Sequence, residues 1–586
     1  MKDKLLATTV NRRMILSQSY YFISTVMTKA EQRKFFLVAF LSLVMSVVDL
    51  AGLWALLNLI TFVTTSDSVK NYQFLVSLIP GQESNFNFFA EVLAIASVFL
   101  FKAILAKLML VYQKNIIAEV DLRIQSFLYS HYTKKDFDFL KIDDLSILSH
   151  NVLKIFLTIH NFLPSLLVLI SDGLLVILLV LLFLLLEPVV IPVALSFAGF
   201  FWFTSRFFHR PGLNNLVYER QKFEENRFRA IEETFLNLRE IRVFGKQIFF
   251  HARFFNWARQ HSGVNKKIMV AQGMPIIYIE LFTILSLLMV VFSVWSFQDS
   301  FVFLVGFLIL FAGGMLRLLP SLNRIAQALK QMTTELPMIE LLTQISSDET
   351  TTISSDQTKQ NIEFQNQIEV RDLSYSHSVG SAVLFNNSNL AISKGSRVCI
   401  VGKTGVGKST FIDILLGLRS PTSGRITVDG VDINCNIESW RELIGYVPAN
   451  TVLLNLPIRN NIAFGVDESE IDDERVNLCI EVVQLGEDTR QLPGGTFYSV
   501  GERGSKLSTG QRQKVGFARA LYFDPSILIL DEATSALDTE TEELIFRALN
   551  DSVKALTILG VSHRISTLKN FDYVYTLKNG NFHPSV

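Results

Sequence analysis

The sequence predicts two parts: an α-helical membrane domain of six transmembrane helices, and a C-terminal α/β domain built on a P-loop. Three observations predict it. Six apolar runs are each long enough to cross a bilayer, at about 20 residues per span. The polar stretch "SSDETTTISSDQTKQN" separates them from the rest of the chain. Beyond it, an apolar strand, a Gly402-x-x-x-x-Gly407-Lys408-Ser409 loop and a helix follow one another.

Composition agrees with a chain partly in lipid. Of 586 residues, 49% are hydrophobic and 18% charged, and the mean hydropathy is +0.34. The formal net charge is +0, so nothing global points to nucleic acid. The three cysteines, Cys399, Cys435 and Cys479, show no CxxC spacing, and they read as reduced cytosolic thiols rather than a disulfide or zinc framework.

Residues 1–34 lack the uninterrupted apolar run of a cleaved signal peptide. They read as a cytosolic, partly amphipathic helix at the membrane surface, with a disordered tail as the alternative. The membrane domain covers 35–345. Its spans are Phe35–Val63, Ala90–Tyr112, Phe162–Leu186, Val189–Phe208, Met274–Trp295 and Phe301–Leu319. Residues 113–161 and 209–273 are polar, helical in pattern and long enough to form hairpins outside the bilayer. Lys2, Lys4, Arg12, Arg13, Lys29, Arg33 and Lys34 precede the first span, and both hairpins are rich in Lys and Arg. The other three connections hold only Lys70. The positive-inside rule therefore puts both termini and both hairpins in the cytoplasm. In the first outer loop, Tyr72–Ile79 reads as either a short helix or an unstructured segment. Residues 346–361 read as a linker, and 362–586 as the α/β domain.

In that domain the loop Gly402, Lys403, Thr404, Gly405, Val406, Gly407, Lys408, Ser409, Thr410 follows strand Val398–Val401. Its glycines let backbone amides curl around phosphates; Lys408 neutralises their oxygens and Ser409 ligates Mg²⁺. A second apolar strand, Ile527–Leu530, ends in Asp531 and Glu532. Asp531 would hold Mg²⁺ through a water, and Glu532 stands where a base could polarise the attacking water. His563 follows a third apolar strand, where an imidazole could touch the γ-phosphate. Ser508, Gly510 and Gln511 open an amphipathic helix whose N-terminus can bind an anion from a second molecule.

On these residues the chain resembles the ATP-binding cassette (ABC) transporters. The family signature LSGGQ stands as "LSTGQ", Leu507 to Gln511. Walker A, signature, Walker B, the "SALD" loop (Ser535 to Asp538) and the switch His563 stand in the family's order. Six spans with long cytosolic hairpins before one cassette resemble a half-size ABC exporter. The resemblance implies ATP and Mg²⁺ as cofactors and a homodimer in which each signature closes on the partner's ATP. It also implies ATPase activity coupled to transport, with the cassette in the cytoplasm of a bacterium and the spans in its inner membrane. Three positions depart from the family: Ala449 in "VPAN" replaces a Gln, Thr509 replaces a glycine, and His377 stands where an aromatic normally stacks on adenine. His377 or Tyr375 is expected to take that role.

Retention of Lys408, Ser409, Asp531, Glu532 and His563 implies that hydrolysis survives Ala449, since Mg²⁺ keeps several waters in any case. Asn450 is a candidate substitute ligand. The runs "VVDLAGLWALLNLI", "MPIIYIELFTIL" and "RLLPSLNRI" are similar to bacterial flippases of lipid-linked oligosaccharides, which implies an amphipathic membrane substrate. Peptide export and general lipid or drug export are the alternatives, and a nucleotide-gated channel is the reading from another class. Asp49, Lys102, Lys107, Asp172, Glu280 and Arg317 lie in apolar spans, where a charge is costly and marks either a pathway or a pair. Arg317 and Lys102 are candidates to meet pyrophosphate oxygens. The segments Asp136–His150 and Phe235–Gln247 are candidates to couple the two domains.

Overall fold

A computed structural model describes residues 13–64, 86–135, 142–186, 211–297, 301–352, 361–376, 383–552, 556–562 and 564–585. The chain divides into two compact units, with the main boundary in sequence between residues 354 and 355. The fourth expected span, the outer loop at Tyr72–Ile79 and the segment 136–141 lie outside the described residues.

The first unit is helical: α1 (Arg13–Thr25), α2 (Lys29–Thr64), α3 (Phe86–Lys134), α4 (Ile142–Leu186), α5 (Pro211–Leu236), α6 (Leu238–Val243), α7 (Gln247–Phe297) and α8 (Phe301–Thr352). The other five expected spans fall inside α2, α3, α4, α7 and α8. At 49 residues, α3 runs about 74 Å, more than twice the roughly 30 Å of a hydrocarbon core. Leu93–Lys134 and Ile147–Leu181 are long and apolar enough to cross a membrane. Leu93, Leu100, Phe101, Ile104 and Leu108 are exposed on α3, a surface suited to hydrocarbon rather than water. Farther along, Ile116, Val120, Ile124 and Leu128 recur every fourth residue and turn inward. They pack with Phe22 of α1, Phe35 of α2, Ile155 and Ile159 of α4 and Met332 and Ile339 of α8 into one core.

Local chemistry sets the entry to α2. The Thr28 N–H donates to Glu31 Oε2 at 2.8 Å and the Glu31 N–H to Thr28 Oγ1 at 3.3 Å, a reciprocal capping box. Arg123 of α3 grips the same carboxylate at 2.7 and 2.8 Å. Burial alone would raise the Glu31 pKa, but Arg123 and the Thr28 amide bring it below the usual value.

Four of the six charges in the spans are paired. Lys102 pairs with Asp49, and Arg317 Nη1 lies 3.4 Å from the same Asp49 oxygen. This is the neighbouring-helix reading of Lys102: α2, α3 and α8 share one carboxylate. Asp172 receives Arg324 Nε and Nη2 at 2.7 and 2.8 Å. Lys107 and Glu280 are exposed. Below them, Glu335 of α8 accepts from Thr158 at 2.8 Å and Asn161 at 3.0 Å on α4. Tyr218 of α5 donates to Glu340 of α8 at 2.5 Å.

The expected linker is partly helix, since α8 continues through Thr352. Neither glycine nor proline interrupts Ser346–Thr352, so nothing stops the preceding turns from propagating.

The second unit holds two sheets. Strands β1 (Gln367–Ser376), β2 (Val383–Ser393), β4 (Ser423–Val428) and β5 (Val431–Asp432) form an antiparallel sheet in the order β2-β1-β4-β5. Strands β3 (Arg397–Val401), β6 (Ile444–Val447), β7 (Ile527–Asp531), β8 (Thr557–Val561), β9 (Tyr573–Lys578) and β10 (Asn581–Pro584) form the second, in the order β10-β9-β3-β8-β7-β6. From β9 to β6 its pairs are parallel. Its strands β3, β7 and β8 read as continuous apolar runs because helices and the first sheet cover both faces. The site-bearing helices are α9 (Lys408–Leu415), after β3, and α14 (Thr509–Tyr522), before β7. Between them lie α10 (Ile437–Glu442), α11 (Ile458–Ile462), α12 (Asp473–Val482) and α13 (Gly486–Gln491); α15 (Thr539–Ser552) and α16 (Ile565–Leu568) complete the set.

Candidate functional site

The carboxyl ends of β3 and β7 build the site. After Val401 the chain enters the Gly402–Gly407 loop, whose Gly405 and Gly407 take φ of 82° and 111°, values that L side chains rarely adopt. At Gly402 a Cβ would lie 2.9 Å from the Leu577 carbonyl oxygen, so only glycine fits there. Gly407 caps α9 and the helix amides open toward the loop, an arrangement that favours an anion. Lys408 is 7% exposed and its Nζ donates to the Gly402 and Lys403 carbonyls at 2.7 and 3.2 Å. The ammonium is thus folded back over the loop, where phosphate oxygens can replace the carbonyls.

β7 carries Asp531 to the same end of the sheet as the loop after β3, because β8 lies between the two strands and pairs with both in parallel register. Burial raises the Asp531 pKa, and the charges of Glu532 and Asp413 raise it further; a Ser409 hydrogen bond and Lys408 oppose them. Asp413 is already paired with Arg419, and Asp531 and Glu532 against the single Lys408 ammonium leave excess negative charge, which a hard divalent cation would neutralise. Ser409 and Asp531 supply oxygen donors that would suit Mg²⁺. No cluster of three His, Cys, Asp or Glu donors occurs among the described residues. Glu532 has φ of 52° and its N–H donates to the Val561 carbonyl at 3.0 Å, which ties the base candidate to β8.

The "VPAN" turn follows β6. The Ala449 carbonyl accepts from Gln513 Nε2 at 3.3 Å; Gln513 is on α14 and 3% exposed. Ala449 and Asn450 are both exposed. On β6, Tyr446 is pushed up to about 12 by burial and by the charges of Asp531 and Asp413.

The signature segment opens α14. Ser508 and Gln511 form a capping box, at 3.2 Å from the Gln511 N–H to Ser508 Oγ and 2.9 Å from the Ser508 N–H to Gln511 Oε1. Gln511 Nε2 and Lys514 Nζ both donate to Asp488 at 3.0 Å, and Arg512 Nη2 donates to Thr509 Oγ1 at 3.2 Å. Thr509 is therefore held as a helical residue with its amide in place. Gly510 sits beside it, where a Cβ would lie 3.5 Å from the Ala536 carbonyl oxygen. The "SALD" loop is fastened separately: Arg564 donates to the carbonyls of Thr534, Ser535 and Leu537.

Tyr375 is 5% exposed, its ring inside the core beneath β1 and β2 and its hydroxyl accepting from Arg419 at 3.1 Å. That location does not offer its face to a base. The reason is a bulge. Ile368 and Val370 face the core, then a register shift at Arg371–Asp372, where Asp372 has φ of 50°, brings Leu373 and Tyr375 inward. His377 and His563 lie outside the described residues. Sequence reading missed Asp413, Tyr446, Gln513 and Arg564. Gln513 and Arg564 carry a local signal, each standing within two residues of a named motif.

Cys399 and Cys479 are buried. Burial pushes their thiols up to about 12 and about 11, which makes both poor nucleophiles.

Known proteins share this arrangement. Residues 385–535 match the family model described as ABC transporter. The chain is 40% identical over 220 residues to ATP-binding cassette sub-family B member 10, mitochondrial, of Mus musculus, a stretch covering 37% of this chain and 31% of that protein. It is 41% identical over 203 residues to the ATP-dependent lipid A-core flippase of Ralstonia nicotianae, covering 34% of each. These matches span less than half the length of either relative. A solved structure, titled "Structure of a bacterial Atm1-family ABC exporter with ATP bound", aligns with a TM-score of 0.77 at 21% identity over 95% of both chains. The chain has the ABC exporter fold, and its C-terminal domain is an ATP-binding cassette.

Proposed function

We propose that this protein is an ATP-driven exporter of a bacterial inner membrane that works as a homodimer. It moves an amphipathic substrate, a lipid-linked oligosaccharide, from the cytoplasmic to the outer side. One observation carries the ATPase reading: Lys408, Ser409, Asp531 and Glu532 converge at the ends of β3 and β7. The chain has one such loop and one Ser508-capped signature helix, so a complete site needs a second chain. Lys408 would exchange its two loop carbonyls for phosphate oxygens. Ser409 and Asp531 would hold Mg²⁺, which when bound neutralises charge on the transferring phosphate. Glu532, fixed through its own amide, would orient and polarise the attacking water.

The relatives named as lipid A-core flippases support a lipid cargo, and Arg317 and Lys102, which share one carboxylate, leave cationic capacity for phosphate oxygens. Phe235, Val243, Phe244 and Ile248 are exposed at the hairpin end, which suits docking on a cassette and coupling its closure to the spans.

The test is steady-state ATP hydrolysis in lipid nanodiscs, with Glu532→Gln as control. Stimulation by a polyprenyl-pyrophosphate oligosaccharide alone supports the reading. Stimulation by a secreted-peptide fraction alone would replace the cargo, and a rate equal to that of Glu532→Gln would refute hydrolysis.

A further inference from the structure

A cluster of basic groups sits where α4, α5 and α7 pack in the helical unit, and the cassette chemistry does not use it. His150 and Lys154 come from α4, Arg220, Glu224 and Arg227 from α5, and His261 from α7. Lys154 Nζ donates to Glu224 Oε2 at 3.0 Å. His150 Nε2 is buried without a hydrogen-bond partner, standing 3.9 Å from Glu224 Oε1, too far to bond. Arg227 Nη1 approaches His261 Nδ1 at 3.4 Å, a contact that does not offset the guanidinium charge. Arg220 Nε is also buried with no partner, and no ion pair of Arg220 or Arg227 occurs among the described residues.

Among the described residues the charge balance is therefore open. Three permanent cations, Lys154, Arg220 and Arg227, face Glu224 and Glu225, and Glu224 is already engaged by Lys154. The charge of Arg220 acts on both Glu224 and His261, and that of Arg227 on both His150 and His261, so the groups lie within one field. Burial first lowers both imidazoles from the ordinary histidine value; at His150 Glu224 opposes it and Lys154 and Arg227 add to it, and at His261 Arg227 and Arg220 add to it while Glu224 opposes. A buried guanidinium nitrogen without an acceptor is costly. An anion beside Arg220 would supply the acceptor that its Nε lacks, and His150 Nε2 is the other buried nitrogen of the cluster without one.

We propose that this cluster is a binding site for a soluble phosphate-bearing anion, held by Arg220, Arg227 and His150. A bilayer headgroup does not reach it. On α4, Lys154 and His150 precede the span start at Phe162 by eight and twelve residues, about 12 and 18 Å along a helix. The headgroup layer extends only about 5–8 Å beyond the hydrocarbon.

Hydrogen exchange of the full chain in phosphatidylcholine nanodiscs tests this, read on peptides of α4 and α5, which exclude the cassette loop. Inorganic phosphate, compared with chloride at matched ionic strength, should protect 147–157 and 215–230 saturably. Arg220→Gln should raise the half-saturating phosphate by about tenfold or more, the scale of a lost charged hydrogen bond, and Arg220→Lys should recover part of it. Arg227→Gln, expected to shift the same midpoint, serves if Arg220→Gln does not fold. Phosphatidate added to the nanodiscs should not compete; competition would identify a lipid headgroup as the source. Equal protection by chloride, or an unchanged midpoint in both variants, would overturn the site. Protection that needs no phosphate and follows protein concentration would also overturn it, in favour of a carboxylate from a second copy.

Discussion

The side-chain amide of Gln513 donates to the carbonyl oxygen of Ala449 across 3.3 Å. The buried Gln513 thus holds by its backbone the turn whose own side chain is too short to reach a metal. The turn keeps its position while losing one outer contact. Ala449→Gln should lower the Mg²⁺ concentration for half-maximal hydrolysis by about two- to tenfold, the worth of one neutral hydrogen bond, with kcat little changed. Mg²⁺ titration of the two proteins decides it; an unmoved midpoint would show that the side chain does not face the metal.

Asp49 is the shared counter-charge of Lys102 and Arg317. Asp49→Ala leaves two cations unpaired in an apolar setting and should cost about 3–5 kcal/mol. Pairing it with Lys102→Met should restore much of the loss. Thermal melts of the two single variants and the double variant in detergent read the coupling, and strict additivity would show that the pair is not energetically linked.

Glu340 accepts from Tyr218 on the neighbouring helix. Burial raises the Glu340 pKa, and the tyrosine hydroxyl lowers it only in part. The folded state therefore binds this proton more tightly than the unfolded state. Its contribution to stability is full below the unfolded value and is lost as pH rises through the raised one. Glu340→Gln should flatten that descent above the ordinary carboxylate range, which melts across a pH series would show.

Ser508 caps α14 and completes a reciprocal bond with Gln511. Ser508→Ala should destabilise the cassette by about 0.5–2 kcal/mol while lowering hydrolysis far more, since the same hydroxyl is proposed to meet the partner's nucleotide. Chemical denaturation alongside turnover separates the two effects; proportionate losses would argue for a purely structural cap.

What the sequence revealed, and what it did not, follows the range of the forces involved. Lys408, Ser409 and Asp531 were legible because loop, strand and acid are contiguous motifs. The span in α3 was legible because hydrocarbon demands length and composition alone. The pairing of Asp49 with Lys102 was not, since it depends on the register of two helices separated by residues 65–85. Tyr375, expected from the resemblance as one of two residues to stack on the base, has its ring turned into the core by a bulge at Asp372 that no motif records. A two-residue period counted from Ile368 would leave it facing out. The turn holding Ala449 was seen as a deficit because its support, Gln513, lies on another element.

Glu532 keeps a backbone conformation that side chains avoid, with φ of 52°, at a cost of about 1–2 kcal/mol. A glycine at this position would relax the turn and leave the Val561 bond intact. Glu532→Gly should therefore give a cassette that is harder to unfold and catalytically silent. With the role proposed for Glu532, this position sets durability against turnover.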